Sequence, residues 1–341
     1  MTQPSAYAQA GVDLTAGNRA TKLIAAAVKS TFGPDVLSDV GSFGGLFSAR
    51  RLQQMADPVL VASTDGVGTK TKVAAHLGRW DTIGHDIVNH CTNDILVQGA
   101  IPLFFLDYVA SAHLNPEQIA TIVTGIAEAC RAMNCALLGG ETAEMPGVYE
   151  PGAVDLVGTI IGLVDRHRLI DGSRICAGDV IVGLPSSGLH TNGFSLARQV
   201  LADLDWHPPH PKLGHSIGEA LLTPHRAYLD EVQAMWQAGV DVRGLAHITG
   251  GGLIDNPPRI FPEGLGAVLH SGSWPTLPVF DLIQQIGGIS DQEMAHVFNL
   301  GLGMLVIVPP DQAAAALSSL SYEAFIVGEM VPGNKQVTFA H

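Results

Sequence analysis

PLFFLDYVA, residues 102–110, is the stretch on which the fold turns. As a strand it sends Leu103, Phe105 and Asp107 to one face and Phe104, Leu106 and Tyr108 to the other, so apart from Asp107 both faces are apolar. A strand that is apolar on both sides must be covered on both sides. Helical patterns flank it, DTIGHDIVNHCTNDILVQG (81–99) before and NPEQIATIVTGIAEACRAM (115–133) after, and helices of its own domain can cover one face. Periodicity leaves open whether the second face is covered within the domain.

Outward from that strand the elements alternate. Leu23, Ile24, Ala27 and Val28 stand at helical spacing in 15–31, the Gly33–Pro34 pair stops that helix, and the glycine-rich loop GSFGGLF (41–47) follows. PVLVAST (58–64), ALLGG (136–140) and VDLVGTIIGLVD (154–165) read as strands. A polar stretch, DRHRLIDGSRICAGD (165–179), places a boundary near residue 170, giving domains 1–170 and 171–341. The second half reads as strand 179–185, loop SSGLHTNG (186–193), helix 194–204, helix 224–238, loop HITGGG (247–252), and strands near 265–270, 298–308 and 323–331. The fold class expected is α/β (α+β), in two domains.

The composition agrees, with 47% hydrophobic and 15% charged residues in 341. A net charge of -14 without a basic run leaves nothing to neutralise a nucleic-acid backbone, so no nucleic-acid partner is expected. Cys91, Cys130, Cys135 and Cys176 form no C-x-x-C pair, and MTQPSAYAQAGVD lacks the basic and apolar regions of a secretion signal. Free thiols in a cytoplasmic protein are therefore expected. No window reaches the roughly 18 apolar residues of a membrane span.

VASTDGVGTKTK (61–72) combines the parts of a phosphate loop with a carboxylate. Neither G-x-x-x-x-G-K-[ST] nor a strand-borne G-x-G-x-x-G occurs. Asp65, Asp94 and Glu141 each fall at or beside an element end, Asp65 and Glu141 just after the strands 58–64 and 136–140. A carboxylate about 4 Å from a phosphate charge costs about 4 kcal/mol at an effective dielectric of 20, so such acids facing a triphosphate imply Mg²⁺ between them. On that reading the glycines admit backbone amides to phosphate, Lys70 or Lys29 supplies positive charge, and Asp65 holds the metal. Asp65 opening a plain Asp-Gly turn is the alternative.

In the second half, His190 and Asn192 lie between two glycines before a helix, and three glycines, Gly250, Gly251 and Gly252, follow His247 and Thr249. A solvated loop histidine is the plain alternative for His190. His85 and His90, five apart, do not share a helix face and read as no metal site, while His207, His210 and His215 read as solvated.

Taken in order, GVDLTAGN, GSFGGLF, STDGVGTK, TNDILVQGAIPLFFLDY, LLGGETAEMPGVY, SSGLHTNGFSL and HITGGGLIDNPPRIFP resemble the phosphoribosylformylglycinamidine cyclo-ligase family over essentially the whole chain. The resemblance implies ATP-dependent closure of formylglycinamidine ribonucleotide to 5-aminoimidazole ribonucleotide. It also implies ATP and Mg²⁺ as cofactors and a homodimer whose N-terminal sheets associate into a barrel. Carried over, Asp65, Asp94 and Glu141 would be metal ligands. Lys29, Gly44, Gly45, Thr64, Gly66, Lys70 and Asn93 would line the nucleotide, with Lys29 and Asp94 also serving the chemistry. His190 and Asn192 would face the reacting amide, and His247, Thr249, Gly250, Gly251 and Gly252 would hold the substrate.

Other families resemble the chain less. Selenophosphate synthetase shares the DGVGTK-like loop but needs a reactive cysteine or selenocysteine near its N-terminus, and here the first cysteine is Cys91. Thiamine monophosphate kinase is not expected to carry SSGLHTNG, and the amidotransferase that makes the cyclo-ligase's substrate is much longer. A non-catalytic nucleotide-binding regulator need not keep the acids, His190 and both glycine loops.

Overall fold

The computed structural model describes residues 14–340, so MTQPSAYAQAGVD, and with it the start of GVDLTAGN, lies outside the described residues. Contacts divide the chain into two compact units, one ending at Arg166 and the other beginning at His167, with Leu96–Ala100 grouped with the second.

Among the described residues the first unit begins with helix α1 (Leu14–Lys29), whose terminus is tied to the sheet by the Thr31 hydroxyl accepting from the Leu137 amide at 2.9 Å. Strand β1 (Pro58–Gly66), helices α2 (Lys70–Leu77) and α3 (Ile83–Leu96), strand β2 (Ile101–Ser111), helix α4 (Pro116–Ala132) and strands β3 (Ala136–Glu144) and β4 (Val154–Asp165) follow. Helix α4 starts where local chemistry says it should. The Asn115 side chain accepts from the amides of Glu117 and Gln118 at 3.1 Å, and Pro116, lacking an N–H, opens the first turn. Helices α3 and α4 cross closely at Gly84, where a Cβ would fall 2.2 Å from the Ile122 carbonyl.

The sheet order is β1-β4-β2-β3, antiparallel except for the parallel pair β2–β3 that α4 connects. One face is buried, through residues such as Val61, Phe105, Leu156 and Ile160. Leu60, Phe104, Leu106, Tyr108, Val157 and Ile161 point the other way and are half-buried or exposed.

Two expectations need correction here. Strand β3 runs on to Glu144, so Glu141 lies within it, and Asp65 likewise lies inside β1. Lys70 is the first residue of a helix packed inward on Val73 and Ala74, with no accessible surface, and its Nζ lies 2.8 Å from Oδ1 of equally buried Asp86. Its positive charge is neutralised inside the fold. Burial pulls the ammonium pKa below its usual value, and the Asp86 charge and hydrogen bond oppose that pull.

Besides single helical turns such as Gly252–Asp255, the second unit comprises β5 (Val180–Pro185), α5 (Phe194–Val200), α6 (Ile217–Leu222), α7 (Leu229–Gln237), β6 (Gly244–His247), β7 (Leu265–His270), α8 (Pro278–Gly287), α9 (Asp291–Val297), β8 (Leu302–Val308), α10 (Ala313–Ser318), β9 (Phe325–Pro332) and β10 (Val337–Ala340). Its sheet order is β10-β7-β9-β5-β8-β6, parallel only at β10–β7. Every residue of β8 is buried, and Ile181, Leu305, Ile307 and Val327 belong to the core around it. The expected helix 194–204 stops at Val200, and the helix expected from 224 starts at Leu229. Helix α6 was not expected, although Ser216 and Glu219 form a capping box at its start.

Candidate active site

In the first unit, β1 and α3 bring two of the expected acids together. Oxygens of Asp65 and Asp94 and a ring nitrogen of His90 all lie within 4.8 Å of one another. His90 Nε2 is 2.9 Å from Oδ2 of Asp65 and 3.5 Å from Oδ2 of Asp94, one helical turn on. The Ser63 hydroxyl donates to Asp94 at 3.0 Å, and the Gly66 amide donates to Asp65 at 2.6 Å.

Burial disfavours the charge of Asp65, but the His90 hydrogen bond and charge and the Gly66 amide outweigh it, so its pKa lies below the ordinary value. Burial likewise disfavours a charged His90, and the bond to Asp65 with the charges of Asp94, Asp65 and Asp86 outweighs it, raising its pKa. These are hard oxygen donors held by a histidine that orients both, a donor set that fits a hard divalent cation. His90 thus belongs to the site although it shares no helix face with His85, which lies beside Glu128 instead. The signal that finds it is the i,i+4 spacing to Asp94.

Glu141 does not join this group within one chain. Asp65 pairs across the sheet with Gly158, Gly158 with Asp107 and Asp107 with Gly140, so Glu141 follows a row three strands, or about 14 Å, from β1. It lines instead a cavity of about 740 Å³ with Gly44, Gly45, Asp107, Gly139 and Gly140. Gly45 approaches β3 so closely that a Cβ would sit 2.4 Å from the Leu138 side chain. Lys29 pairs with Asp39, a residue of the cavity wall, at 2.9 Å, and both are exposed. Thr64 points away from Asp65, its hydroxyl 2.8 Å from that of Thr159. Asn93 is fully buried in α3.

Asp107 is a cavity residue that the sequence marked only as a polar exception. Its carboxylate packs on Gly140, where a Cβ would lie 2.3 Å from Oδ1, and burial pushes its pKa up to about 7. An acid with a raised folded-state pKa binds its proton more tightly when folded, so its contribution to stability falls as pH rises from about 4 to about 7. Asp107→Asn removes that loss. The difference in melting temperature between variant and parent is expected to grow in the variant's favour from pH 5 to pH 8, measured by calorimetry, and a flat difference would contradict it.

In the second unit, the loops after β5 and β6 meet. His190 is buried at φ 63°, a left-handed conformation costly for a side-chain-bearing residue. Its Nε2 accepts from the Ser187 amide at 3.3 Å. Gly303 on β8 leaves the room it needs, since a Cβ there would fall 2.5 Å from His190 Cε1 and 2.0 Å from the Tyr228 hydroxyl. Asn192 reaches Gly250, with its Oδ1 3.2 Å from where a Cβ would stand. Thr249 is clamped by Asn256, whose Oδ1 accepts from the Thr249 amide at 2.8 Å and whose Nδ2 donates to its hydroxyl at 3.1 Å. Gly252, at φ 57°, lies where a Cβ would meet the Ala295 carbonyl at 2.1 Å. His190, Asn192, His247, Thr249 and Gly250–Gly252 are thus assembled within one unit. Asn256 and His225, which the sequence did not mark, help to hold them.

No helix among the described residues is long and apolar enough to cross a membrane. Residues 51–164 match the AIR synthase related protein N-terminal domain family, and residues 177–341 match its C-terminal domain family. A phosphoribosylformylglycinamidine cyclo-ligase of Desulfitobacterium hafniense is 48% identical over 98% of each chain, and one of Gloeobacter violaceus is 51% identical over 92% of this chain and 93% of its own. Among solved structures, the thiamine-monophosphate kinase of Stenotrophomonas maltophilia superposes with a TM-score of 0.66 at 17% identity, covering 93% of this chain and 95% of its own. Hydrogenase maturation protein HypE in complex with ATP gives 0.64 at 18%, covering 93% and 90%. At such identities these two structures share the fold alone.

Proposed function

The chain belongs to the phosphoribosylformylglycinamidine cyclo-ligase family, and we infer from that membership how its two clusters divide the work of an ATP-dependent ring closure in purine biosynthesis. The substrate is formylglycinamidine ribonucleotide and the product 5-aminoimidazole ribonucleotide. An amide-like oxygen is a poor leaving group in water. Transfer of the ATP γ-phosphoryl group to the formyl oxygen makes that oxygen part of a phosphate. The amidine nitrogen then forms the new C–N bond, the C–O bond breaks, phosphate departs, and the nitrogen gives up its proton.

The convergence of Asp65 and Asp94 under His90 carries this reading, because carboxylates so close belong beside polyphosphate only with a cation. They would hold Mg²⁺, which when bound offsets phosphate charge. The cavity walled by Gly44, Gly45 and Glu141 accepts the nucleotide, the Gly66 amide stays on Asp65, and Lys29, not buried Lys70, supplies the positive charge, while Thr64, turned to Thr159, and fully buried Asn93 take no direct part. His190 and Asn192 face the reacting amide, and His247, Thr249 and Gly250–Gly252 bind the substrate. An enzyme of this route working in the cytoplasm is consistent with the four free cysteines. ADP release should require formylglycinamidine ribonucleotide, and release at the same rate without it would overturn the assignment.

The outer face of the first sheet supports a homodimer. Leu60 stands opposite Leu163 and Phe104 opposite Ile161, with Leu60 57% exposed. Leaving this face in water costs about 25 cal/mol for each Å². Light scattering at micromolar concentration is expected to give twice 35.7 kDa. An active, well-behaved monomer would exclude the dimer.

A further inference from the structure

His225 lies in the segment between α6 and α7 and is 1% exposed. Its Nε2 is 3.0 Å from Nε2 of His247, and its Nδ1 is 3.2 Å from the hydroxyl of Thr191. Its ring also stacks on His190, with centroids 4.0 Å apart and planes inclined by 21°. One buried imidazole therefore touches both histidines assigned above to the substrate and its reacting amide, and the reaction as described gives it no part.

Two neutral imidazoles joined through their Nε2 atoms cannot both donate or both accept. If His225 donates from Nε2, its Nδ1 accepts from the Thr191 hydroxyl, and His247 carries its proton on Nδ1. If His225 donates from Nδ1 to Thr191, His247 must donate from Nε2, and its Nδ1 is an acceptor. Either way the tautomer of His247 is tied to the direction in which Thr191 bonds. Two imidazolium charges 3.0 Å apart would repel strongly, so the pair holds at most one extra proton near neutral pH. A neighbour of this kind both orients a ring and fixes which nitrogen carries the proton, as partners behind functional histidines do elsewhere.

We propose that His225 is a positioning residue for the ring closure, fixing the tautomer and orientation of His247 through the Nε2 contact, with Thr191 as its anchor. The proposal rests on the assignment of His247 to the substrate. A residue that only filled space would give the same burial and the same stack on His190, so the test must separate the nitrogens from the shape.

His225→Phe keeps a ring of similar size and removes both nitrogens, whereas His225→Gln restores an amide able to hydrogen-bond His247. The Phe variant is expected to lose roughly tenfold or more in kcat with the KM for ATP unchanged, and the Gln variant to recover part of that loss. Nitrogen-15 chemical shifts of the His247 ring should report one dominant tautomer in the parent and a mixture in His225→Phe. A folded Phe variant that turns over like the parent, a Gln variant no better than Phe, or an unchanged His247 tautomer would each overturn the proposal. Should His225→Phe fail to fold, Thr191→Val removes the anchoring hydroxyl with little change of shape. A shifted His247 tautomer is expected there, and none would overturn the proposal. The shifts are measured without substrate, so a parent that shows no substrate-dependent ADP release would refute the assigned reaction while leaving this result readable.

Discussion

Asp94→Asn is expected to fold like the parent and to lose about a hundredfold or more in turnover. The substitution keeps the shape of the side chain, and its amide oxygen can still accept from the Ser63 hydroxyl, so the contact between β1 and α3 persists. What disappears is one negative charge from a group in which Asp65 and Asp94 share a single buried histidine. His90 then retains Asp65 alone as a close acid, and the place where a cation would be held has one carboxylate in place of two. The loss should appear in kcat, together with a higher Mg²⁺ concentration for half-maximal rate, while the melting temperature moves little. Parent-like turnover in a folded variant would remove Asp94 from the metal role.

Lys70→Met is expected to have its large effect on stability. Lys70 and Asp86 have no accessible side-chain surface and lie 2.8 Å apart. Removing the ammonium leaves a carboxylate in a place that water does not reach, and breaking a buried pair in this way costs about 3–5 kcal/mol. Replacing both partners, in Lys70→Met with Asp86→Leu, should recover much of the loss, since apolar residues of similar volume do not carry the desolvation penalty. Denaturant unfolding of the two variants measures the difference. Among molecules that remain folded, the affinity for ATP should match the parent's. A Lys70→Met protein with the parent's stability but weakened ATP binding would show that the lysine reaches phosphate after all.

Lys70 also shows why part of the site was not legible. In STDGVGTK the lysine follows glycines as phosphate-loop lysines do, but the chain turns at Gly68, with φ 66°, and enters a helix at Lys70. The direction of its side chain is then set by the packing of that helix, which no local pattern reveals. Strand β4, in contrast, runs from Val154 to Asp165, the span its mostly apolar stretch predicts. Glycines misled the reading of β3, which was ended at Gly140. They stay in the strand because the Asp107 carboxylate on β2 packs where a side chain of Gly140 would stand. His225 had no signal at all, because its partners Thr191 and His247 are 34 and 22 residues away and meet it only in the folded unit. His90 was legible, and comparing it with His85 instead of Asp94 hid it.

If ATP phosphorylates the formyl oxygen, as proposed, that oxygen departs as phosphate. Formylglycinamidine ribonucleotide carrying oxygen-18 in its formyl group, turned over once with excess enzyme and ATP, follows that atom directly. Mass analysis of the released inorganic phosphate should find one labelled oxygen for each 5-aminoimidazole ribonucleotide formed. Unlabelled phosphate, with the label appearing in water, would contradict the account.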